Sequence, residues 1–115
     1  MKQRLAAYTA ALNRYDLRAV KNMFAENAAY VSPGLNGEIE GRAAIMAAFK
    51  TYFAEHVEQV NVDKNVSQIS PIKVQSNWSL TATNKRTRKP VARKGLQVIT
   101  FNAAGLIAFI QVLDF

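Results

Sequence analysis

Beyond Asp63 the chain has a single acidic side chain. Residues 64–113 contain eight lysines and arginines and no acid, so Asp114 is the only carboxylate that follows Asp63. Alternation along the predicted last strand places Asp114 on one face with Ile110 and Val112. A carboxyl group among apolar side chains loses hydration, which favours proton transfer near neutral pH. Asp114 is therefore a candidate acid/base group, unless it lies in water at the chain end or pairs with a base such as Arg93.

The other side chains that could do chemistry point to structural roles. His56, the only histidine, ends the third predicted helix, where an imidazolium is favoured by the helix dipole. Glu38 and Glu40 flank Ile39 beside a turn and are expected to be solvated. The chain has no cysteine, and its histidine and carboxylates do not cluster at metal-ligand spacing. We therefore expect no metal site and no cofactor.

A strongly basic stretch runs from Lys85 to Lys94. It supplies six of the 15 lysines and arginines of a chain whose net charge is +7. One interpretation is a footprint for an anion or a nucleic acid. The other is a solvated hairpin tip that protects a sheet edge. No aromatic side chain lies between the bases, as stacking on single strands requires, so we favour the hairpin tip and expect no nucleic-acid partner.

The first half of the chain has the periodicity of helices. Apolar residues at steps of three and four predict a first helix with the stripe Leu5, Tyr8, Leu12 and Tyr15. Asp16 is a good N-cap for a second, short helix with the apolar face Leu17, Val20 and Phe24. Residues 29–32 are predicted to form a short strand, ended by Pro33-Gly34 and a loop that reaches Gly37. A third helix is predicted from Arg42 to about His56.

From Val57 onward the period changes to two, which indicates strands. Val60 and Val62 alternate with polar residues, and residues 72–83 alternate in the same way. Residues 91–102 and 106–115 are predicted to form the last two strands, and both carry apolar residues on both faces. Such strands must be covered twice, by helices on one face and by a second subunit on the outer face. We therefore predict a homodimer.

Length and composition are those of one ordinary globular unit. Of 115 residues, half are hydrophobic and a fifth are charged, which predicts a single domain over residues 1–115. No apolar run approaches the roughly 20 residues of a membrane-spanning helix. The first residues lack the apolar core of a signal peptide. We expect no membrane partner and predict cytoplasmic residence.

Short strings along nearly the whole chain resemble one family. They include Tyr8-Thr9-Ala10-Ala11-Leu12-Asn13, Phe24-Ala25-Glu26-Asn27-Ala28, Gly41-Arg42-Ala43-Ala44-Ile45 and Ile99-Thr100-Phe101-Asn102-Ala103-Ala104-Gly105. In this order they resemble the bacterial ketosteroid-isomerase and SnoaL-like polyketide-cyclase group of the nuclear transport factor 2-like superfamily. The resemblance implies an α+β fold, in which three N-terminal helices pack on a strongly curved antiparallel sheet that forms a cone.

The resemblance also implies where isomerase chemistry would be located. The oxyanion tyrosine of the isomerases corresponds to Tyr8, their base to Ser32 and their second acid to Gln97. A serine without a base beside it cannot abstract a carbon-bound proton, and glutamine holds no titratable proton. We therefore predict no steroid-isomerase activity of the usual kind. SnoaL-like cyclases carry an acid/base aspartate on a late strand, and that role would fall on Asp114.

The pocket inside the cone is expected to take a small hydrophobic molecule. In an isomerase, cyclase or dehydratase, Asp114 would be the acid/base while Tyr8 and Gln97 polarise a carbonyl. Face parity predicts the ligand-binding residues Tyr30, Phe49, Tyr52, Phe53, Trp78, Ile99, Ile110 and Val112, and the resemblance adds Ser32. The alternative is a binding or adaptor module without catalysis, whose cone is partly filled by its own aromatic side chains. The volume of the pocket separates these two hypotheses.

Overall fold

The computed structural model describes residues 1–33 and 37–115. In chain order its elements are α1 (Lys2–Asn13), α2 (Leu17–Asn22), β1 (Phe24–Ser32), β2 (Gly37–Glu40), α3 (Arg42–Glu55), β3 (His56–Ser70), β4 (Lys73–Asn84), β5 (Pro90–Phe101) and β6 (Ile107–Asp114). The loop predicted after Pro33, with Gly34, lies outside the described residues. Among the helices of these two ranges, none combines the length and the apolar character needed to cross a membrane.

The six strands form one curved sheet that does not close into a barrel, in the order β2-β1-β6-β5-β4-β3. β1 runs parallel to β6, and the other neighbouring pairs are antiparallel. α1 lies against β3 and α3 against β1, so these helices cover the concave face from opposite edges. Three helices packed on a curved sheet confirm the predicted α+β fold.

The core fills the space between the helices and the concave face. Its fully buried side chains come from every layer and include Leu5, Val20, Phe24, Ile45, Ile99 and Ile110. Burying a side chain of this size contributes about 1.5–3 kcal/mol, so the core holds the helices firmly on the sheet. Phe24 also meets the ring of Tyr8 edge to face, with 5.9 Å between ring centres. The core thus fixes the position of a predicted site residue.

The local signals for the helices are confirmed. Asp16 is the N-cap of α2, where its Oδ1 accepts a hydrogen bond from the backbone N–H of Ala19 at 3.0 Å. α3 ends at Glu55, one residue before the predicted end. Tyr15 lies just after α1, with φ at 58°, and packs on Phe53 with 5.1 Å between ring centres. The first helix is therefore shorter than the apolar stripe that predicted it.

The N-terminal strands are longer than predicted. β1 begins at Phe24 and not at residue 29, so Phe24 is a strand residue and does not belong to α2. Gly37–Glu40, expected beside a turn, forms β2, with Ile39 paired to Tyr30. β1 lies between β2 and β6, so it can exchange backbone hydrogen bonds on both sides. That pairing satisfies polar backbone groups and overrides the weak strand preference of the alanines.

β3 places its polar side chains, and not its valines, under the helices. Val60 and Val62 are 52% and 41% exposed. The alternate residues Gln59, Asn61 and Asp63 line the concave side, where Val62 also borders the cavity. The period of two is therefore present, but its apolar face lies outside. This facing brings a carboxylate into the interior.

The C-terminal end of α1 explains the facing of β3. The last carbonyls of a helix have no partner within it, and Gln59 Nε2 donates a hydrogen bond to the carbonyl oxygen of Leu12. The backbone N–H of Asn61 donates to Asn13 Oδ1 at 2.7 Å, and Asn13 Nδ2 donates to the carbonyl oxygen of Asn61 at 3.1 Å. Glu58, with φ at 56°, lies in a register shift just before these contacts. β3 is thus tied to α1 through its polar face.

The convex face of the last strands is partly apolar. Leu113 is 45% exposed and Phe115 is 75% exposed, while Leu96 and Val98 are half-buried. A second subunit on this face stays a prediction, as does the extent of the domain over residues 1–115.

Candidate functional site

A cavity of about 130 Å³ lies between the concave face of the sheet, α1 and α3. Its wall contains nine of the predicted site residues, namely Tyr8, Tyr30, Ser32, Phe49, Tyr52, Phe53, Trp78, Gln97 and Val112. Ile99 and Ile110 lie in the core behind the wall and are fully buried. Asp114 lies at the exposed end of β6. The wall thus brings together nine of the twelve predicted residues, and the role of each in binding stays a prediction.

Four side chains, which we call the Asp63 cluster, form a hydrogen-bonded group in this wall: Thr9, Asp63, Ser76 and Gln97. Asp63 Oδ1 accepts hydrogen bonds from Ser76 Oγ and from Gln97 Nε2, both at 2.9 Å. Asp63 Oδ2 accepts a third from Thr9 Oγ1 at 2.5 Å. The donors come from α1, β4 and β5, so three elements fix one carboxylate.

The hydrogen bonds of Gln97 differ from the role expected from the sequence, in which its side chain polarises a carbonyl of the ligand. Its Nε2 donates to Asp63 Oδ1 and also to Ser76 Oγ, the latter at 3.1 Å. An amide nitrogen carries two hydrogens, so both are used inside the cluster. In this arrangement Gln97 positions Asp63, and does not offer its N–H groups to a carbonyl of a ligand.

Two tyrosine hydroxyls of the cavity wall remain protonated. Burial raises the pKa of Tyr8 well above its ordinary value of 10.0, and the neighbouring Tyr30 and Asp63 raise it further. Burial raises the pKa of Tyr30 to about 12, although the Arg93 guanidinium opposes part of that shift. A phenol that stays neutral keeps its O–H as a hydrogen-bond donor. Tyr8 can therefore donate to an oxygen of a bound molecule.

Asp114 pairs with Arg93 and does not reach the cavity. Arg93 Nε and Nη2 donate to Asp114 Oδ2 at 2.8 and 2.7 Å, and the Asp114 side chain is 29% exposed. Strand alternation correctly places Val112 in the cavity wall. Asp114, two residues later on the same face, lies at the rim, opposite Gly95 on β5. This corrects the expected burial of Asp114. The pair with Arg93 is one of the alternatives that the sequence left open.

Arg93 itself belongs to the cavity wall, with two aromatic residues beside it. Its guanidinium carbon lies 5.5 Å from the centre of the Trp78 ring. Burial raises the pKa of Tyr52, and the Arg93 guanidinium opposes that shift, so Tyr52 is also close to Arg93. We call Tyr52, Trp78, Arg93 and Asp114 the Arg93 cluster. Tyr52 Oη and Trp78 Nε1 are buried, and no described residue accepts a hydrogen bond from either, although the Arg93 guanidinium is directed at the Tyr52 oxygen.

The other residues considered in the sequence analysis do not line the cavity. His56 stacks on Tyr52 with 3.9 Å between ring centres, and its Nδ1 lies 3.0 Å from the Tyr52 carbonyl oxygen. Glu38 and Glu40 are exposed. Residues 1–33 and 37–115 contain no group of three His, Cys, Asp or Glu side chains that could hold a metal ion. The turn from Lys85 to Lys89 is exposed at the tip between β4 and β5.

A family model with the description SnoaL-like domain matches residues 5–110. The chain belongs to the SnoaL-like domain family. The resemblance found in the sequence is thereby confirmed. A comparison with the curated proteins found no match.

Solved structures show the fold that this SnoaL-like chain shares. SalBIII, an epoxide hydrolase/cyclase-like enzyme with a role in pyran ring formation in the polyether salinomycin, is 26% identical. Its TM-score is 0.88, over 99% of this chain and 89% of SalBIII. RV0760c from Mycobacterium tuberculosis, in complex with estradiol-17beta-hemisuccinate, is 15% identical with a TM-score of 0.84, over 95% of this chain and 88% of that one. A protein of ketosteroid isomerase-like fold from Catenulispora acidiphila DSM 44928, in complex with trimethylamine, is 16% identical with a TM-score of 0.82, over 97% and 83%.

Sequence reasoning missed Asp63, the carboxylate of this SnoaL-like domain that lies in the cavity wall. In a strand, Val60 and Val62 share one face, and Asp63 lies on the opposite face. Because apolar residues usually face the core, that pattern predicts a solvated aspartate. The one available signal was the run of polar residues Gln59, Asn61 and Asp63 at a period of two, opposite a valine face that is too short to cover a helix.

Proposed function

We propose that this chain binds a small, mostly apolar molecule in the cavity and moves a proton on it without a cofactor. The reaction class would be that of an isomerase, cyclase or dehydratase. Asp63 would act as the general base, in place of Asp114, and Tyr8 as the hydrogen-bond donor to an oxygen of the substrate. The observation that carries the proposal is the Asp63 carboxylate in the cavity wall, held by three uncharged donors.

The geometry of Asp63 suits a general base. A carboxylate has about four acceptor positions, and the Asp63 cluster uses three of them. One position remains for a proton of the substrate. A base must lie within hydrogen-bond reach of that proton before its basicity matters. Thr9, Ser76 and Gln97 hold the carboxylate still, which keeps that reach constant.

Tyr8 supports the same chemistry from the other side of the reacting group. Removing a proton beside a carbonyl develops negative charge on the oxygen, and a donor already in position stabilises that charge. Burial keeps the Tyr8 hydroxyl protonated, and contact with Phe24 fixes its ring. Asp63 and Tyr8 therefore supply a base and a donor in one cavity.

The size of the cavity limits the substrate. An apolar cavity of about 150 Å³ in another protein holds one benzene ring, and the cavity here measures about 130 Å³. A single six-membered ring fits, and a larger molecule would extend through the opening. The solved relative SalBIII has a role in pyran ring formation, which agrees with a one-ring reacting unit. A cavity of this size also favours the first hypothesis over a cone filled by its own side chains.

The test is exchange of the α hydrogens of cyclohexanone in D₂O, followed by NMR. The wild-type chain should accelerate exchange, and Asp63→Asn should lower the enzymatic rate by about 10²–10⁴-fold, the usual contribution of a general base. Glu58→Gln is the matched control, since it removes an exposed carboxylate from the same strand. A variant Asp63→Asn as fast as wild type would contradict catalysis by Asp63. The chain would then be a binding or adaptor module of the same fold.

The proposal includes a cytoplasmic homodimer that buries the convex face of β5 and β6. Exposed Leu113 and Phe115 support it, because large apolar side chains are favoured in the cores of such interfaces. Light scattering of the purified protein should give twice the chain mass of 12.8 kDa, and Leu113→Lys should lower it to one chain. A wild-type monomer at micromolar concentration would contradict the dimer.

A further inference from the structure

We propose that the Arg93 cluster anchors an uncharged acceptor oxygen, such as a second carbonyl, of the molecule that Asp63 acts on. The inference rests on the proposed function, because it assumes that one molecule occupies the cavity. It adds a feature of the substrate: an oxygen at each of two polar sites in an otherwise mostly apolar wall.

Two buried donors without a partner carry the inference. Tyr52 Oη and Trp78 Nε1 are shielded from solvent, and no described residue accepts a hydrogen bond from them. Buried donors are nearly always paired in folded proteins, and an unpaired one often marks a functional site. Both side chains belong to the wall of the same cavity. An oxygen of a bound ligand would therefore supply the acceptor that these two donors lack.

Arg93 adds further donors at the same place. A guanidinium has five N–H groups, and two nitrogens, Nε and Nη2, donate to Asp114 Oδ2. Other N–H groups remain for a ligand. The Arg93 side chain is 32% exposed and lies over the Trp78 ring, so it is the part of the wall that can shift when a ligand enters. Asp114 is then a positioning residue that holds Arg93.

The charges at the site favour a neutral oxygen over a carboxylate. Asp114 already compensates the charge of Arg93 at 2.7 Å. A second carboxylate at the same guanidinium would meet the like charge of Asp114, which costs free energy at short distance. A carbonyl oxygen accepts the same hydrogen bonds without that repulsion. The donors on Tyr52 and Trp78 are neutral and suit such an oxygen equally well.

The two polar sites lie at different levels of the sheet. Gln97 and Arg93 are four residues apart on the inward face of β5, which is about 13 Å of strand. The Arg93 side chain extends over the ring of Trp78. Trp78 is paired with Asp63 across β4 and β3, so the Arg93 guanidinium lies closer to Asp63 than the strand spacing suggests. The second oxygen therefore belongs at the end of the ring away from the reacting carbonyl, and 1,4-cyclohexanedione is a one-ring probe with that arrangement.

The experiment compares three one-ring probes with the full chain: 1,4-cyclohexanedione, 4-methylenecyclohexanone and 4-oxocyclohexanecarboxylate. The second probe replaces one carbonyl oxygen by a methylene group of the same shape, and the third adds a charge. Binding is followed by the indole N–H signal of Trp78 in ¹⁵N–¹H NMR spectra, which is unambiguous because the chain has one tryptophan. The dione should shift that signal and bind about fivefold to tenfold more tightly than the methylene analogue, the usual effect of one hydrogen bond.

Three variants test whether the Arg93 cluster causes the tighter binding of the dione. Tyr52→Phe and Arg93→Met should each reduce the preference for the dione and leave binding of the methylene analogue within twofold. Lys94→Met, which removes a charge from the exposed neighbour of Arg93, should keep the full preference. Two variants at separate positions keep the test valid if one of them fails to fold.

Equal affinity for the dione and the methylene analogue would overturn the anchor, and so would tighter binding of the carboxylate. If either result occurs while Asp63 still catalyses exchange, only the anchor fails. If none of the three probes binds, the small-molecule cavity of the proposed function fails, and the anchor fails with it.

Discussion

The carboxylate of Asp63 accepts three hydrogen bonds, and every donor is an uncharged side chain. Hydrogen bonds to a charged group are stronger than those between neutral groups, so Thr9, Ser76 and Gln97 hold the charge in place without neutralising it. The carboxylate is therefore held in one position. Loss of one donor should therefore affect both stability and position.

Gln97→Leu removes the donor that contacts two members of the Asp63 cluster. We expect the free energy of unfolding to fall by about 1–3 kcal/mol, because a polar group in the wall loses its partner. Urea denaturation measures the change. Gln111→Leu on β6 is the control, since Gln111 is exposed, and it should change stability by less than about 0.5 kcal/mol. Equal effects of the two substitutions would show that the cluster does not bind Gln97 as described.

At the scale of elements, β3 decides the chemistry of the cavity. Val60 is exposed, while Gln59 and Asn61 face α1, because the end of α1 needs the partners that they supply. These contacts join residues 47 and 48 positions apart in the chain. Local patterns cannot show such partners. The sequence shows the alternation along β3, but it does not show which of the two faces lies against α1.

Other elements were predictable because their signals are local. The Asp16 cap of α2 and the bounds of α3 follow from neighbouring residues. Helix and strand periodicity, together with the family resemblance, indicated nine residues of the cavity wall, fewer than half of those that line it. β2 and the first half of β1 were missed because they depend on pairing with each other and with β6. Asp63 was missed for the same reason, since a distant helix sets its facing.

Substitutions on β3 test that facing directly. Asn61→Val increases the apolar character of the strand, yet it should destabilise the protein by about 1–3 kcal/mol, because it removes the hydrogen bond from Asn61 Nδ2 to Asn13 Oδ1 at 2.9 Å. Val62→Thr reduces the apolar character and should change stability by less than about 0.5 kcal/mol, since Val62 is 41% exposed. Thermal denaturation of both variants gives the comparison. The reverse order of effects would mean that the valines face the core.

At the scale of the whole molecule, buried tyrosines make the fold sensitive to alkaline pH. Burial raises the pKa values of Tyr8, Tyr30 and Tyr52, which are three of the four tyrosines. The ordinary pKa is 10.0, and that of Tyr30 in the fold is about 12. Between these values the unfolded chain has lost the proton while the folded chain keeps it. Stability must then fall as the pH rises.

Tyr30→Phe should remove part of this fall. Tyr30 alone contributes nothing below pH 10 and lowers the free energy of unfolding by about 1.4 kcal/mol for each pH unit between 10 and 12. Urea denaturation at pH 9, 10 and 11 measures the slope in wild type and variant. Identical slopes in both would contradict a protonated Tyr30 in the folded state.

One kinetic comparison decides which carboxylate moves the proton. Exchange of the α hydrogens of cyclohexanone is measured with Asp63→Asn and Asp114→Asn side by side. We predict that Asp63→Asn lowers kcat by at least about a hundredfold, whereas Asp114→Asn leaves kcat and KM close to the wild-type values, since Asp114 pairs with Arg93 at the rim and cyclohexanone has no second oxygen for Arg93 to bind. A loss of kcat in Asp114→Asn with full turnover in Asp63→Asn would contradict the account and return the acid/base role to the last strand.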